Sequence, residues 1–394
     1  MAVRREAGSV RIAELVATLS YAADLGLGQP MAHCMRQTVI ALRLADAVGA
    51  TDHEREATFY LGLLMNVYCH ADAAEQAKWF GDDIGFKGDG FETFDMNTAQ
   101  MVALVVRRVG SHGNAVARAK RLASFAVAGQ RQFVSFLTTH STLGAQFAER
   151  IGLSQEVCVA IRQAYEQWDG KGYPHHLRGR EISLPARLVQ LASPVEIFGR
   201  RRGVQAARAI ARRNSGTQFD PALVGLFCDR APELLEDLDQ ASDWDAVLDA
   251  EPELSRRVAG AELDEVLVAM ADLVDLKSPY LAGHSRGVAN LVTAAARISG
   301  HSENDVITVR RAGLVHDLGR LGVSNAIWDK PSRLTESEYE RVRLHPYLTD
   351  RMLARLSALG ASREIAARHH ERLDGSGYPR GLTAVSLTPL DRLL

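Results

Sequence analysis

The sequence is poor in cysteine, in aromatic residues and in long apolar runs. Its four cysteines, Cys34, Cys69, Cys158 and Cys228, are scattered singly, which indicates neither a disulfide framework nor a thiolate metal site. No apolar run approaches the roughly 18 residues that span a bilayer, and the opening MAVRREAGSV lacks a signal-peptide core. These features predict a cytoplasmic protein with no membrane segment.

The composition is that of a globular protein, with 46% apolar and 24% charged residues in a chain of 394. At about 150 residues per domain, this length predicts two or three domains. Alanine, leucine, valine and arginine recur at helical spacing in segments such as 285–298 and 346–359, which predicts an all-α fold. Glycine and proline predict loops at 81–90, 169–174, 278–283, 330–334 and 374–379.

Charge is distributed unevenly along the chain. Residues 229–265 contain 13 acidic against 3 basic side chains, whereas 284–394 contain 16 basic against 12 acidic. The acidic segment 229–249 has the composition of a boundary element, and we place a domain boundary near 255. A mildly basic final segment suits an anionic small molecule, although an arginine-rich solvated surface is the simpler interpretation. The excess is too dilute to predict a nucleic-acid-binding element.

An internal repeat is the strongest organisational signal. The segment WDGKGYP at 168–174 recurs as LDGSGYP at 373–379, and the same offset of 205 places His140 on His345. An offset of 251 places His33 on His284 and residues 61–64 on 312–315. The repeat predicts two tandem helical bundles, residues 1–254 and 255–394, with an insertion in the first. Pairing of the modules within one chain and a homodimer both remain open.

The second copy contains a cluster of residues suited to divalent transition metals. The candidate ligands are His284, His316, Asp317, His345, His369 and His370. Adjacent residues on a helix diverge by about 100°, so the pairs 316–317 and 369–370 favour two neighbouring metals. Asp317 is the natural bridging ligand. A lone histidine is more often structural, which is our interpretation of His53, His112 and His301.

The first copy has lost most of this pattern. Met65 and Asn66 stand where the second copy has His316 and Asp317, Ala164 and Tyr165 replace the later histidine pair, and only His33 and His140 remain. Two isolated imidazoles are a weak basis for a metal site. We therefore interpret both as structural histidines and expect this module to bind, sense or dimerise.

The second copy resembles the HD-GYP family, whose members hydrolyse cyclic di-GMP or related cyclic dinucleotides. The resemblance rests on His316-Asp317 followed by HHERLDGSGYP at 369–379, and it covers about 277 to the end. It implies an all-helical fold, the six ligands above binding two divalent metals, iron or manganese, and a metal-bridged hydroxide attacking the phosphodiester. It also implies a substrate-binding loop formed by Gly377, Tyr378 and Pro379.

Three positions depart from the family pattern. Arg320 replaces a lysine that commonly follows the HD pair, and it keeps the charge with different geometry. Tyr280 occupies the position of a glutamate found in three-metal members, so we expect two metals. The family's last ligand, an aspartate, would fall near 398, beyond Leu394. Either the chain is a fragment of a longer protein, which we favour, or this version lacks that ligand and the helices that follow it.

Two functions are compatible with these residues. The leading hypothesis is a phosphodiesterase of cyclic dinucleotides, with Asp317 and Arg320 as catalytic residues. The alternative is a regulatory HD-GYP-like protein that binds a nucleotide or a partner without turnover. The ordered set of six ligands favours the enzyme.

Overall fold

The computed structural model describes residues 9–96, 98–110, 115–241, 244–252 and 256–394, and nearly all regular structure in them is helical. The all-α prediction is confirmed. Two short strands, β1 (Val10–Arg11) and β2 (Arg257–Val258), pair antiparallel. None of the helices in these residues is both long and apolar enough to cross a membrane.

The described chain divides into two compact units. The C-terminal unit comprises residues 9–22, 70–74 and 256–394, and the N-terminal unit comprises most of the residues between 23 and 252. The β1–β2 pairing joins residues 10–11 to the C-terminal unit. Residue 70 joins the same unit, because the imidazole Nε2 of His70 lies 2.6 Å from the carbonyl oxygen of Leu273. The predicted boundary at 254/255 stays a prediction.

Helices up to residue 252 are α1 (Ile12–Gly26), α2 (His33–Ala47), α3 (Asp52–Leu64), α4 (Ala73–Phe80), α5 (Asp83–Gly90), α6 (Thr98–Arg108), α7 (Ala115–Arg150), α8 (Gln155–Arg162), α9 (Leu184–Arg202), α10 (Val204–Arg213), α11 (Pro221–Leu234), α12 (Leu238–Ala241) and α13 (Trp244–Asp249). Short 3-10 helices cover Phe91–Asp95 and Gly179–Glu181. The prediction of a loop at 81–90 was wrong for most of its length, since α5 forms there. Tertiary packing outweighs the low helix propensity of its glycines, as the stacked rings of Phe80 and Phe86 show.

Helices from residue 256 onward are α14 (Gly260–Asp275), α15 (His284–Ile298), α16 (Glu303–Val315), α17 (Asn325–Trp328), α18 (Glu336–Arg343), α19 (His345–Leu353) and α20 (Gly360–Ala366), with 3-10 helices at Pro279–Leu281, Leu318–Gly322 and Ser357–Leu359. Side chains cap several of these helices. Ser302 caps α16, and Thr335 with Glu338 forms a capping box on α18. Buried apolar side chains of α14, α15 and α16 form the core of this unit.

The sequence repeat is also visible in the packing. In the C-terminal unit, α16 approaches α15 so closely at Gly313 that a Cβ there would lie 2.9 Å from the Cα of Ala289. In the N-terminal unit, a Cβ on Gly62 of α3 would lie 3.0 Å from the Cα of Thr38 on α2. Both pairs are related by the offset of 251 residues. Each module therefore keeps the same helix pair in contact through the same glycine.

Candidate metal centre

All six predicted ligands lie at helix ends that converge within the C-terminal unit. His284 begins α15, His345 begins α19, and His316 with Asp317 follows α16. His369 and His370 lie in the turn after α20. The segment after Asp317 is fixed against α19, because the Gly319 amide donates to Thr349 Oγ1 (2.9 Å), which itself donates to the His316 carbonyl (2.9 Å).

The ligands form two groups of three, and within each group the ligand atoms lie within 4.8 Å of one another. His284, His316 and Asp317 form the first group, and His345, His369 and His370 form the second. Each adjacent pair stays within one group. The expected divergence of about 100° does not apply, because both pairs lie in turns beyond their helices.

Asp317, a member of the first group, lies between the imidazoles of both groups. Its Oδ2 is 3.3 Å from His284 Nε2 and 3.1 Å from His316 Nε2. Its Oδ1 is 3.5 Å from His345 Nε2 and 3.6 Å from His369 Nε2. The carboxylate is 2% exposed, and within the described residues neither oxygen accepts a hydrogen bond of good geometry. One oxygen thus faces each group, which is the arrangement of a bridging ligand.

Three of the imidazoles are oriented by the backbone of their own turn. The Nδ1 atoms of His316, His345 and His369 lie 2.8, 2.6 and 2.6 Å from the carbonyl oxygens of Gly313, Val342 and Ala366. A carbonyl can only accept, so each Nδ1 carries the proton and each neutral ring has its lone pair on Nε2. Such contacts fix the tautomer of metal-binding histidines.

The donor set fits divalent transition metals. The Nε2 atoms of His345 and His369 face each other at 3.1 Å, although each ring already holds its proton on Nδ1. Two lone pairs at this distance repel unless a cation or an additional proton lies between them. Imidazole and carboxylate donors are those that iron, manganese and zinc accept.

Burial sets the protonation of the second group. It lowers the pKa of His345 and of His370 to about 4, and it lowers the pKa of His369 well below its usual value. Burial alone would raise the pKa of Asp317, but the His316 and His284 imidazoles and the Arg320 guanidinium outweigh it and hold that pKa well below its usual range. Near neutral pH the second group therefore offers neutral imidazoles beside an ionised carboxylate.

The second proposed catalytic residue, Arg320, lies beside the ligands. Its Nε is 2.9 Å from Asp317 Oδ2, and its guanidinium carbon lies 4.5 Å from the centre of the Trp328 ring. The side chain is 16% exposed. An aromatic face and a carboxylate thus hold this cation at the centre.

The predicted substrate-binding loop also borders the centre. The Tyr378 ring stacks on the His370 ring at 4.7 Å. Burial and the neighbouring Tyr339 raise the pKa of Tyr378 to about 12, so its hydroxyl stays protonated. At Gly377 a Cβ would lie 2.4 Å from the amide nitrogen of Arg372, so only glycine fits this close approach.

Sequence reasoning assigned no role to Glu371, which holds the loop. Its two carboxylate oxygens each accept a backbone N–H at 2.7 Å, from Arg380 and from Leu382. Glu166 does the same in the N-terminal unit, with the amides of His175 at 2.7 Å and Leu177 at 3.0 Å. The offset of 205 relates all three positions, so the recurrence of this glutamate was the signal that could have identified it.

In the N-terminal unit, side chains at the corresponding positions bind other groups of the protein. His33 Nδ1 lies 2.7 Å from Glu196 Oε2, and both side chains are fully buried. The Tyr165 hydroxyl donates to the Met65 carbonyl at 3.1 Å, which joins two of the replaced positions. Among the described residues, both groups suited to a metal lie in the C-terminal unit.

Comparison with known proteins identifies the family. The HD domain profile matches residues 131–223 and 268–394, once in each copy. The chain is 31% identical over 387 residues to the 3′3′-cGAMP-specific phosphodiesterase 3 of Vibrio cholerae, which covers 97% of this chain and 84% of that protein. The chain belongs to the HD-domain family, in its HD-GYP group. Its resemblance to that group, predicted from the motifs, is confirmed.

A solved structure and a cyclic di-GMP phosphodiesterase agree with this assignment. The crystal structure of a cyclic GMP-AMP specific phosphodiesterase of Vibrio cholerae superposes with a TM-score of 0.64 at 30% identity, covering 89% of this chain and 80% of that one. A cyclic di-GMP phosphodiesterase of Pseudomonas aeruginosa is 38% identical over 130 residues, which are 32% of this chain and 31% of that protein.

Proposed function

We propose that the C-terminal unit is a metal-dependent phosphodiesterase that hydrolyses a cyclic dinucleotide of the cyclic di-GMP class. The observation that carries this proposal is the position of Asp317, whose two oxygens face two separate groups of imidazoles. Two divalent metals, iron or manganese, would be held by His284, His316, Asp317, His345, His369 and His370. When bound, such ions supply Lewis acidity for a phosphodiester and make a water more acidic.

Arg320 has the chemistry to stabilise the negative charge that develops on phosphorus oxygens. A guanidinium has five N–H donors, so contact with Asp317 through Nε leaves its terminal groups to bind phosphate. Because Trp328 and Asp317 already hold the side chain, little conformational entropy is lost when a substrate binds. Tyr378 would line the substrate side of the same site.

The relatives support a guanine-containing cyclic dinucleotide as the substrate. The relative that aligns over nearly the whole chain is named for 3′3′-cGAMP, and the one that aligns over about a third is named for cyclic di-GMP. Both molecules are rings of two nucleotides joined by two phosphodiesters. We infer that this chain acts on one or both of them.

We infer that the N-terminal unit contains no metal centre. His33 is paired with Glu196, and Tyr165 is bonded to the backbone at Met65. Breaking these contacts would leave buried polar groups unpaired, which opposes metal binding there. This unit would bind, sense or mediate pairing, and the predicted homodimer stays a prediction.

The experiment is metal analysis combined with hydrolysis of cyclic di-GMP and 3′3′-cGAMP by the protein loaded with Fe²⁺ or Mn²⁺. Wild-type protein should bind two metals per chain and hydrolyse at least one of the two nucleotides. Asp317→Asn should lose both properties, whereas His33→Ala should keep the metal. Binding of nucleotide without hydrolysis by the metal-loaded wild type would instead support the regulatory alternative.

A further inference from the structure

We propose that Tyr339 and Arg343 form a second subsite, which binds the half of a cyclic dinucleotide that does not react. In this assignment the Arg343 guanidinium binds the non-reacting phosphodiester and the Tyr339 ring receives a base. The proposal rests on the proposed function, since it concerns the substrate of the same site.

The position of the two residues follows from α18. Residues four apart lie on one face of a helix, so Tyr339 and Arg343 share a face. The helix is anchored by its capping box, by Lys330, whose Nζ lies 2.6 Å from Glu338 Oε2, and by the burial of Val342 in a small apolar cluster. Because α18 leads directly into His345, this face is fixed relative to the metal centre.

Aromatic contacts place this face beside the ligands. The guanidinium carbon of Arg343 lies 5.5 Å from the centre of the Tyr378 ring and 6.0 Å from that of Tyr339. The rings of Tyr339 and Tyr378 meet edge to face at 6.3 Å. Tyr378 in turn stacks on His370. One tyrosine ring therefore separates the Arg343 guanidinium from a candidate metal ligand.

Both side chains are accessible for binding. Tyr339 is 47% exposed. The Arg343 side chain is 37% exposed, and its ion pair with Glu340 at 2.9 Å is also open to solvent, since Glu340 is 60% exposed. Exposed pairs of this kind contribute little and exchange readily. A guanidinium that lies over an aromatic ring keeps its edge N–H groups in the plane where a phosphate binds.

The charge of the substrate matches this arrangement. A cyclic dinucleotide has two anionic phosphodiesters and two flat bases. Arg320 and the metal ligands serve one phosphodiester, and Arg343 supplies a second cation on the adjacent surface. Tyrosine rings stack on bases with little preference among them. The subsite would therefore recognise the ring of two nucleotides rather than a single diester.

The test compares Arg343→Ala, Tyr339→Leu and the control Arg341→Ala on two kinds of substrate. Arg341 is exposed on the same helix, but it lies two residues from Arg343 and so points about 200° away. The substrates are cyclic di-GMP, 3′3′-cGAMP and cyclic di-AMP, together with bis(p-nitrophenyl) phosphate, which has a single diester. Metal content is measured for every variant.

Arg343→Ala should lower kcat/KM for each cyclic dinucleotide that the wild type hydrolyses by roughly 10- to 100-fold, mainly through KM. Hydrolysis of bis(p-nitrophenyl) phosphate and metal content should stay at the wild-type level, and Arg341→Ala should match the wild type throughout. Tyr339→Leu should also raise KM for the cyclic dinucleotides alone.

Three results would overturn the subsite. Equal loss on the single diester would place Arg343 at the reacting centre, and no loss on any substrate would remove it from binding. If the wild type also hydrolyses cyclic di-AMP, a loss confined to the guanine-containing nucleotides would mean that Arg343 binds a base edge. Wild-type protein that cleaves the single diester but neither binds nor hydrolyses a cyclic dinucleotide would instead refute the proposed function.

Discussion

His345 and His369 direct their Nε2 atoms at each other across 3.1 Å, with each ring held by a carbonyl at its Nδ1. The two histidines come from different helix ends, 24 residues apart in sequence. The arrangement is unfavourable for two neutral rings alone and favourable for two rings that share a cation. This relationship gives the candidate metal centre its first test.

We expect Fe²⁺ or Mn²⁺ to raise the melting temperature of the wild-type protein by more than that of His369→Ala, which keeps only the first group of ligands intact. A metal that binds only the folded state stabilises it by mass action. In the metal-free state the substitution should lower the free energy of unfolding by little more than the value of the lost packing. It also removes the repulsion between the two Nε2 lone pairs that face each other. Thermal unfolding with and without metal measures both effects. An equal metal-dependent gain in the variant would show that His369 is not a ligand.

Glu371→Gln should loosen the loop that contains Tyr378. One of the two backbone N–H groups would lose its acceptor, at a cost of about 1–3 kcal/mol. We expect a lower kcat/KM with cyclic dinucleotides and a lower urea midpoint. The matched control is Glu166→Gln, which breaks the same contacts in the N-terminal unit. It should lower the midpoint and leave kcat/KM unchanged, and equal kinetic effects of both variants would argue against a local role for Glu371.

Replacing His33 should destabilise the protein without loss of metal. The substitution His33→Ala leaves Glu196 buried next to Arg200 alone, and breaking a buried pair costs about 3–5 kcal/mol. Metal content per chain and chemical unfolding can be measured on the same preparation. Loss of a metal equivalent in this variant would refute the view that the N-terminal unit lacks a metal centre.

Stability should depend on pH through Asp24. Burial raises the pKa of Asp24 to about 6, against 3.8 for the unconstrained group. The unfolded chain therefore loses this proton at lower pH than the folded chain. The free energy of unfolding should fall as pH rises from about 4 to about 6, by about 3 kcal/mol from this group. Urea unfolding of Asp24→Asn should lack this part of the fall, and identical pH profiles for the two proteins would contradict it.

Much of the candidate site could be predicted from the sequence. The sequence singled out six candidate ligands, which the structure brings together in two groups of three, and the offset of 205 located the loop in both modules. Local sequence also predicts helices well here, because apolar spacing and caps such as Thr335 agree with the fold.

The remainder depends on contacts that one segment of sequence does not contain. In the pairing of β1 with β2, Val10 lies opposite Val258 and Arg11 lies opposite Arg257. Because these partners are far apart in sequence, residues 9–22 were not predicted to belong with the C-terminal unit. The expected division of adjacent ligands between two metals assumed helical geometry, whereas His369 and His370 lie in a turn. The neighbourhood of Arg343 was not predicted, since it depends on how α18 meets the loop at Tyr378.

The most direct test of the central claim is the metal content of purified, Fe²⁺- or Mn²⁺-loaded wild type and Asp317→Asn, measured alongside hydrolysis of cyclic di-GMP and 3′3′-cGAMP. From the proposed function we expect two metals per chain and hydrolysis in the wild type, with both lost in the variant while the helical circular dichroism remains. Metal content and hydrolysis unchanged by the substitution, or a metal-loaded wild type that hydrolyses neither nucleotide, would contradict it.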